Sequence, residues 1–174
     1  MRISSPSIDH RFASVQCIVL GSRGARRAHV ATTHQTGSEE ETAAVGRTLA
    51  ASLTAGDVVL LYGDLGAGKT AFVKGLAEGL SVERSEVSSP TFTLMQEYRG
   101  GRLPLFHADL YRLDDPREVD DLGLDELAAG GVLAIEWAEK LAASRARVAG
   151  TIAVRIVHGE GDERTITIEG LVRG

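Results

Sequence analysis

The stretch LLYGDLGAGKTAF, Leu60 to Phe72, decides the fold of this chain. Residues 63–70 (GDLGAGKT) match the pattern G-x-x-x-x-G-K-[ST] at every position. Glycines leave backbone N–H groups accessible and permit positive φ angles, so such a loop can cradle a polyphosphate at a helix N-terminus. The pattern predicts that Lys69 reaches the β- and γ-phosphates of a nucleotide and that the Thr70 hydroxyl ligates Mg²⁺.

The phosphate-loop interpretation depends on context, because a glycine-rich turn beside a lysine also arises by chance. Here the preceding residues 57–63 (DVVLLYG) are typical of a strand buried on both faces. Phe72, Leu76 and Leu80 follow the loop at helical spacing. The order of strand, glycine loop and helix therefore favours a nucleotide site.

The remaining segments predict how the sheet is completed. Ser38 and Glu41 form a capping-box pattern that begins a helix, which we expect to end at Gly56. Gly100-Gly101 separates two strands of a predicted hairpin, residues 132–136 (VLAIE) form a second buried strand, and residues 151–172 suggest a closing hairpin. The resulting order, β-α-β-α-β-β-α-β-α-β-β, predicts an α/β chain with the three-layer P-loop NTPase fold and a mixed parallel and antiparallel sheet.

Composition limits the classes of function. Cys17 is the single cysteine of 174 residues, which excludes an intrachain disulfide and a cysteine cluster for zinc. No apolar run approaches the roughly 20 residues of a membrane span, and we expect a reduced, cytoplasmic protein without a membrane role. Residues 1–28 carry a net charge of +4 and are predicted to form a basic, mostly disordered N-terminal extension. Residues 29–174, the predicted ATPase domain, carry −9, which argues against tight binding to bare DNA or RNA.

Two carboxylates end apolar runs and are candidates for the metal and the attacking water. Asp109 ends PLFHAD and Glu136 ends VLAIE, so either can lie at the sheet edge beside the loop. A turn-forming acid or helix cap at Asp109, and a solvated acid at Glu136, are the structural alternatives. The residues leave the division of roles open, with Asp109 expected at or near the metal and Glu136 contacting metal or water.

Other side chains have a functional and a structural interpretation. Thr91 follows Pro90 at a predicted strand start and could sense the γ-phosphate or be an ordinary strand threonine. Trp137 could pack beside the nucleotide or in the core. Arg112 could contact phosphate, bind a partner or form a surface ion pair, and His107 is most simply a strand histidine.

The nucleotide is expected to be ATP. GTPases of the Ras type read guanine with Asn/Thr-Lys-x-Asp, whereas this chain contains no asparagine, and none of its three lysines lies in that motif. Residues 120–123 (DDLG) match D-x-x-G, but they lie in an acidic helical stretch and not at the end of an apolar strand.

Five motifs in order, GDLGAGKT, SPTFTL, HADLYRL, LGLDE and IEWAEK, resemble the TsaE (YjeE) family over about residues 36–143. The resemblance implies an ATPase that joins TsaB and TsaD, which place a threonylcarbamoyl group on N6 of the tRNA adenosine beside the anticodon. TsaD would perform the chemistry on tRNA, and ATP hydrolysis would reset the complex between turnovers. Ala71 departs from the family, because many members have a second hydroxyl residue there.

The resemblance carries the family's loop onto residues 63–70, its switch threonine onto Thr91, its acidic metal-site residue onto Asp109 and its Glu-Trp pair onto Glu136 and Trp137. The predicted catalytic residues are then Lys69, Asp109 and Glu136, and the predicted Mg²⁺ ligands are Thr70, Asp109 and Glu136. The predicted nucleotide contacts are Asp64, Leu65, Gly66, Ala67, Gly68, Lys69, Thr70, Ala71, Thr91 and Trp137. A small-molecule kinase and a nucleotide-dependent binding module with incidental hydrolysis are the rival functions.

Overall fold

The structure, a computed structural model, describes residues 14–18, 27–141 and 150–173. Its strands are β1 (Ser14–Ile18), β2 (Arg27–Thr36), β3 (Val58–Tyr62), β4 (Met95–Tyr98), β5 (Leu105–Asp109), β6 (Val132–Glu136), β7 (Thr151–His158) and β8 (Arg164–Arg173). Its α-helices are α1 (Glu39–Ala50), α2 (Lys69–Gly79), α3 (Pro116–Asp120) and α4 (Leu124–Gly130), and Arg84–Glu86 and Ala138–Lys140 form short 3₁₀ helices.

Within the described residues the strands form one sheet in the order β1-β2-β8-β7-β3-β6-β5-β4. Strand β3 pairs in parallel with β6 and β7, and β5 pairs in parallel with β6. The remaining pairs, β1–β2, β2–β8, β7–β8 and β4–β5, are antiparallel. The mixed sheet predicted from the sequence is therefore confirmed.

Two apolar cores lie on opposite faces of the central strands. Val59 and Leu61 of β3 belong to the core that includes residues of α1 and α2. Leu60, between them, belongs to the core that includes residues of α3 and α4. Because successive strand residues point to opposite faces, an uninterrupted apolar strand needs cover on both sides. The chain accordingly has three layers, with the sheet between helices on both faces. The phosphate loop follows β3, which is a central strand of that sheet.

Helices α1 and α2 are packed closely enough that glycine is required between them. A Cβ atom added at Gly75 of α2 would lie 1.9 Å from the backbone oxygen of Ala43 in α1. A Cβ atom at Gly46 of α1 would lie 2.3 Å from the backbone oxygen of Phe72. The close approach fixes α2, and with it the helix start that follows the phosphate loop.

Helix α1 begins as predicted and ends earlier. Ser38 caps it, and its hydroxyl accepts from the backbone N–H of Glu41 at 3.1 Å. The Glu41 carboxylate accepts from the N–H of Gly37 at 2.6 Å, so the reciprocal bond reaches one residue beyond the predicted cap. The prediction that Gly56 ends the helix is wrong, because α1 ends at Ala50 and a turn follows.

Part of the predicted disordered extension is ordered. Residues 14–18 form β1, which pairs along β2, and β2 itself begins at Arg27. The prediction over residues 1–28 is therefore wrong for residues 14–18 and 27–28, because they gain backbone hydrogen bonds at the edge of the sheet. Residues 1–13 and 19–26 of that prediction lie outside the described residues. The sequence also predicts a short helix over residues 138–144 (AEKLAAS), of which residues 142–144 lie outside the described residues. No helix in the described part of the chain is long and apolar enough to cross a membrane.

Candidate nucleotide-binding site

The phosphate loop joins the end of β3 to the start of α2. Gly63, Gly66 and Gly68 have φ angles of 144°, 78° and 107°, which side-chain-bearing residues rarely adopt. Gly68 caps α2, so Lys69 is the first helical residue and the free N–H groups of the first turn face the loop. The sequence folds this way because glycines occupy the positions where the backbone turns to the left-handed region.

A cleft of about 210 Å³ opens above this loop. It is lined by most of the predicted site residues: Leu65, Gly66, Ala67, Gly68, Lys69, Thr70, Ala71, Thr91, Asp109, Glu136 and Trp137. Asp64 lies beside the cleft instead of in its lining, and its backbone oxygen accepts a hydrogen bond from Lys69. The phosphate loop, Thr91, Asp109 and the Glu136–Trp137 pair, which the sequence predicts to share one site, therefore meet at one edge of the sheet.

Lys69 is folded onto its own loop. Its Nζ donates to the backbone oxygens of Gly63 at 2.6 Å and Asp64 at 2.9 Å, and lies 4.0 Å from the centre of the Trp137 ring. The residue is only 4% exposed. Burial lowers the pKa of the Lys69 ammonium, and the nearby carboxylates, Glu136 foremost, oppose that shift.

Glu136 receives two hydrogen bonds on one carboxylate oxygen. Thr70 Oγ1 donates to Oε1 at 2.9 Å, and His107 Nε2 lies 2.9 Å from the same atom. Glu136 is the last residue of β6 and is only 3% exposed, and His107 on β5 is fully buried. The alternative of a solvated acid at Glu136 is thus wrong, because the carboxylate is buried and hydrogen-bonded.

Asp109 ends β5 directly beside Glu136, its register partner on β6. Its Oδ2 accepts from the Thr91 hydroxyl at 2.6 Å and from the Ser89 hydroxyl at 3.3 Å. Its Oδ1 accepts from the backbone N–H of Tyr111 at 2.8 Å, so Asp109 also forms the turn that the structural alternative described. The prediction that Thr91 begins a strand is wrong, because residues 91–93 form a turn and β4 begins at Met95.

Trp137 lies between the loop lysine and a second aromatic ring. Its φ angle of 59° is left-handed, which is a genuine outlier for a bulky residue and is common at functional sites. The ring centre lies 4.9 Å from that of Tyr111. The residue also packs against the second core, which is the one that includes residues of α3 and α4. Trp137 therefore lines the cleft and also contributes to the core, and its contact with a nucleotide stays a prediction.

Arg112 lies outside the lining of the cleft. Its guanidinium carbon is 4.2 Å from the centre of the Phe92 ring, and Phe92 is 82% exposed. Two residues that line the cleft were missed from the sequence, Glu39 and Ser89. Glu39 stands in the first turn of α1, where an acidic residue also suits the helix dipole, so no local pattern distinguishes it. Ser89 is the first residue of the SPTFTL motif, and this motif could have indicated that Ser89 lies near the site.

The donor set fits a nucleotide with Mg²⁺. Thr70 and Glu136 offer oxygen atoms, which Mg²⁺ prefers, and Asp109 stands beside them. Among the described residues, no group of three or more His, Cys, Asp and Glu could hold a metal ion. A site with few protein ligands is typical of Mg²⁺, which is usually held by one or two carboxylates together with water and phosphate oxygens.

Comparisons with known proteins show which family the chain resembles. The model of the TsaE family, described as threonylcarbamoyl adenosine biosynthesis protein TsaE, matches residues 36–166. The tRNA threonylcarbamoyladenosine biosynthesis protein TsaE of Bacillus subtilis (strain 168) is 48% identical over 138 residues, which are 76% of this chain and 82% of that relative. The protein of the same name from Nostoc sp. (strain PCC 7120 / SAG 25.82 / UTEX 2576) is 52% identical over 108 residues, 59% of this chain and 65% of that relative.

A solved structure is also similar. The crystal structure of Bacillus subtilis YdiB superimposes with a TM-score of 0.63 at 38% sequence identity. The match covers 84% of this chain and 88% of the solved one. The phosphate loop and the strands that end in Asp109 and Glu136 all lie within the segment that the family matches.

Proposed function

The chain belongs to the TsaE family, and from that premise we propose that it is a cytoplasmic ATPase that acts in tRNA threonylcarbamoyladenosine biosynthesis. It binds and hydrolyses ATP with Mg²⁺ and thereby supports a TsaB–TsaD complex that modifies the tRNA adenosine next to the anticodon. The observation that carries the proposal is the meeting of Lys69, Thr70 and Glu136 in one cleft, with Thr70 and Glu136 joined at 2.9 Å.

The loop binds the phosphates in this account. Backbone N–H groups of residues 65–71 and the start of α2 attract anions, and Lys69 supplies a cation. Lys69 exchanges two neutral carbonyl acceptors for phosphate oxygens when the nucleotide enters. Because hydrogen bonds between ionised groups are the stronger kind, this exchange favours the bound state.

The carboxylates and Thr70 hold the metal. We assign Glu136 to the ion because it is already bonded to the Thr70 hydroxyl, and Asp109 to a place at or near the ion. Thr70 and Glu136 would hold Mg²⁺, which would supply positive charge against the charge that develops on the phosphate. Thr91, which donates to Asp109 at 2.6 Å, is the residue that would sense the γ-phosphate.

The partner is a protein complex and not tRNA alone. Residues 29–174 carry a net charge of −9, which is unfavourable for the many phosphate contacts that bare nucleic acid requires. The contact with tRNA is therefore indirect, through TsaB and TsaD. We expect no tight complex of the isolated chain with tRNA at physiological salt, as measured by a gel shift at low protein concentration.

The test is release of inorganic phosphate from ATP by the purified chain, alone and with TsaB–TsaD. We expect Mg²⁺-dependent release that the complex stimulates, and loss of release in the Lys69→Ala variant. Transfer of phosphate to an added small-molecule acceptor, in place of release into solution, would favour a kinase. No hydrolysis in either condition would contradict the proposal.

A further inference from the structure

His107 is a buried polar residue in the middle of an apolar strand. It occupies the centre of β5 (LFHAD), faces Ala134 of β6 and Gln96 of β4 in register, and is fully buried. Burying an imidazole costs free energy unless its polar atoms find partners. The side chain therefore has to be explained by the contact that it makes.

That contact is with Glu136, and only one ring nitrogen is used. Nε2 lies 2.9 Å from Glu136 Oε1, whereas Nδ1 has no hydrogen-bond partner within the described part of the chain. An ionised carboxylate only accepts hydrogen bonds, so Nε2 acts as the N–H donor toward it. His107 thus gives Oε1 of Glu136 a buried donor.

The Glu136 oxygen has a second donor, which lies on the phosphate loop. Thr70 Oγ1 also donates to Oε1, and the same hydroxyl is the loop's ligand for Mg²⁺ in the proposed function. A hydroxyl can ligate an ion through an oxygen lone pair and still donate its proton, but it rotates to suit its partners, whereas the His107 donor is fixed by burial. The terminal torsion of a glutamate is otherwise broad, so the carboxylate needs such a donor to keep one orientation.

We propose that His107 is a positioning residue for ATP hydrolysis, which holds the Glu136 carboxylate toward Thr70 and the metal. The inference rests on the proposed function, since it assigns a role in the same cleft. His107 contacts neither nucleotide nor ion and acts through Glu136. Losing a partner that orients a metal-binding carboxylate typically costs about 10- to 100-fold in metal affinity or activity.

The test compares three substitutions of His107 with one control. His107→Leu fills the space without a donor, and His107→Gln can place an amide N–H near the position of Nε2. His107→Asn stays polar but is too short to reach the carboxylate. Phe106→Leu is the control, because Phe106 is the neighbouring buried residue of β5 and packs in the second core.

Two quantities are measured for each full-length variant. The first is the Mg²⁺ concentration at half-effect on nucleotide binding, followed by the fluorescence of Trp137, the single tryptophan, which lines the cleft. The second is kcat for phosphate release with TsaB–TsaD. For His107→Leu and His107→Asn we expect the Mg²⁺ concentration that gives half of the effect on nucleotide binding to be about 10-fold higher than in the wild type. We also expect their kcat to be about 10- to 100-fold lower. Nucleotide affinity without Mg²⁺ should stay within about 2-fold, because the loop is intact, and His107→Gln should recover most of both losses.

Several outcomes overturn the inference. An unchanged Mg²⁺ requirement in His107→Leu shows that the carboxylate needs no second donor. Equal losses in Phe106→Leu and His107→Leu, or no recovery by His107→Gln, show a role in packing alone. If His107→Leu does not fold, the comparison of His107→Asn with His107→Gln decides the matter. Absence of hydrolysis in the wild type refutes the proposed function separately, while the Mg²⁺ dependence of binding still tests His107.

Discussion

Replacing Lys69 by alanine tests the phosphate loop with a magnitude that follows from the structure. The free ammonium donates to two backbone oxygens, at 2.6 and 2.9 Å, and a bound nucleotide replaces these neutral acceptors by charged ones. The bonds to carbonyl oxygens already have an ionised donor, so what the nucleotide adds is attraction between opposite charges, about 4 kcal/mol at 4 Å and an effective dielectric constant of about 20. After subtraction of the two carbonyl bonds that are given up, at about 0.5 to 1 kcal/mol each, about 2 to 3 kcal/mol remains, or roughly 30- to 150-fold weaker binding in the variant.

The assay is calorimetric titration of ATP at fixed Mg²⁺ and ionic strength. Lys74→Ala is the matched control, because Lys74 lies five residues further along α2 and outside the lining of the cleft. The control should bind ATP like the wild type, which separates the loss of one cation in the cleft from the loss of net charge. Binding by Lys69→Ala within threefold of the wild type would refute the reasoning, because the ammonium would then contribute nothing at the phosphates.

Three further predictions address the framework of the site. Gly75→Ala places a Cβ atom 1.9 Å from a backbone oxygen of α1, and should lower the free energy of unfolding by about 1 to 3 kcal/mol in denaturant titration. Gly130→Ala, where the added Cβ atom has no neighbour closer than 3.8 Å, should lower it by less. Burial lowers the pKa of His34 below 6.5, so the unfolded chain binds the proton more readily, and stability should fall as pH drops below about 6.5. His34→Asn should flatten that fall in thermal melts from pH 7.5 to 5; an identical slope would contradict this origin. Thr91→Val removes the donor to Asp109 and should lower kcat while Thr91→Ser preserves it; equal rates for both would exclude a role of the hydroxyl.

The loop and its two flanking elements could be predicted because the information is local. The glycines at 63, 66 and 68 are required by the backbone angles there, and the apolar run of β3 is required by helices on both faces. The carboxylates were also predictable, because parallel strands bring their C-terminal ends to one sheet edge. Asp109 and Glu136 are register partners for that reason.

The rest depends on contacts between distant residues. Glu39 reaches the cleft because α1 packs on α2, and neither helix pattern encodes which residue will face the loop. The sequence does not distinguish His107 from any other strand histidine, because its contact with Glu136 depends on how β5 and β6 pair. Their register places Nε2 of His107 against Glu136. Residues 14–18 have no clear period of their own, and they form a strand because β2 offers an open edge.

The central claim is that hydrolysis in this cleft allows the modification complex to turn over. The direct measurement is tRNA threonylcarbamoylation by TsaB–TsaD with ATP, supplied either with the wild-type chain or with Glu136→Gln, at one and at many turnovers. Glutamine keeps the shape of Glu136 but removes the charge that Thr70 and His107 face. We predict a normal first turnover and a loss of later ones. Unchanged multiple-turnover modification by a variant that no longer hydrolyses ATP would contradict the account and would favour a nucleotide-dependent binding module.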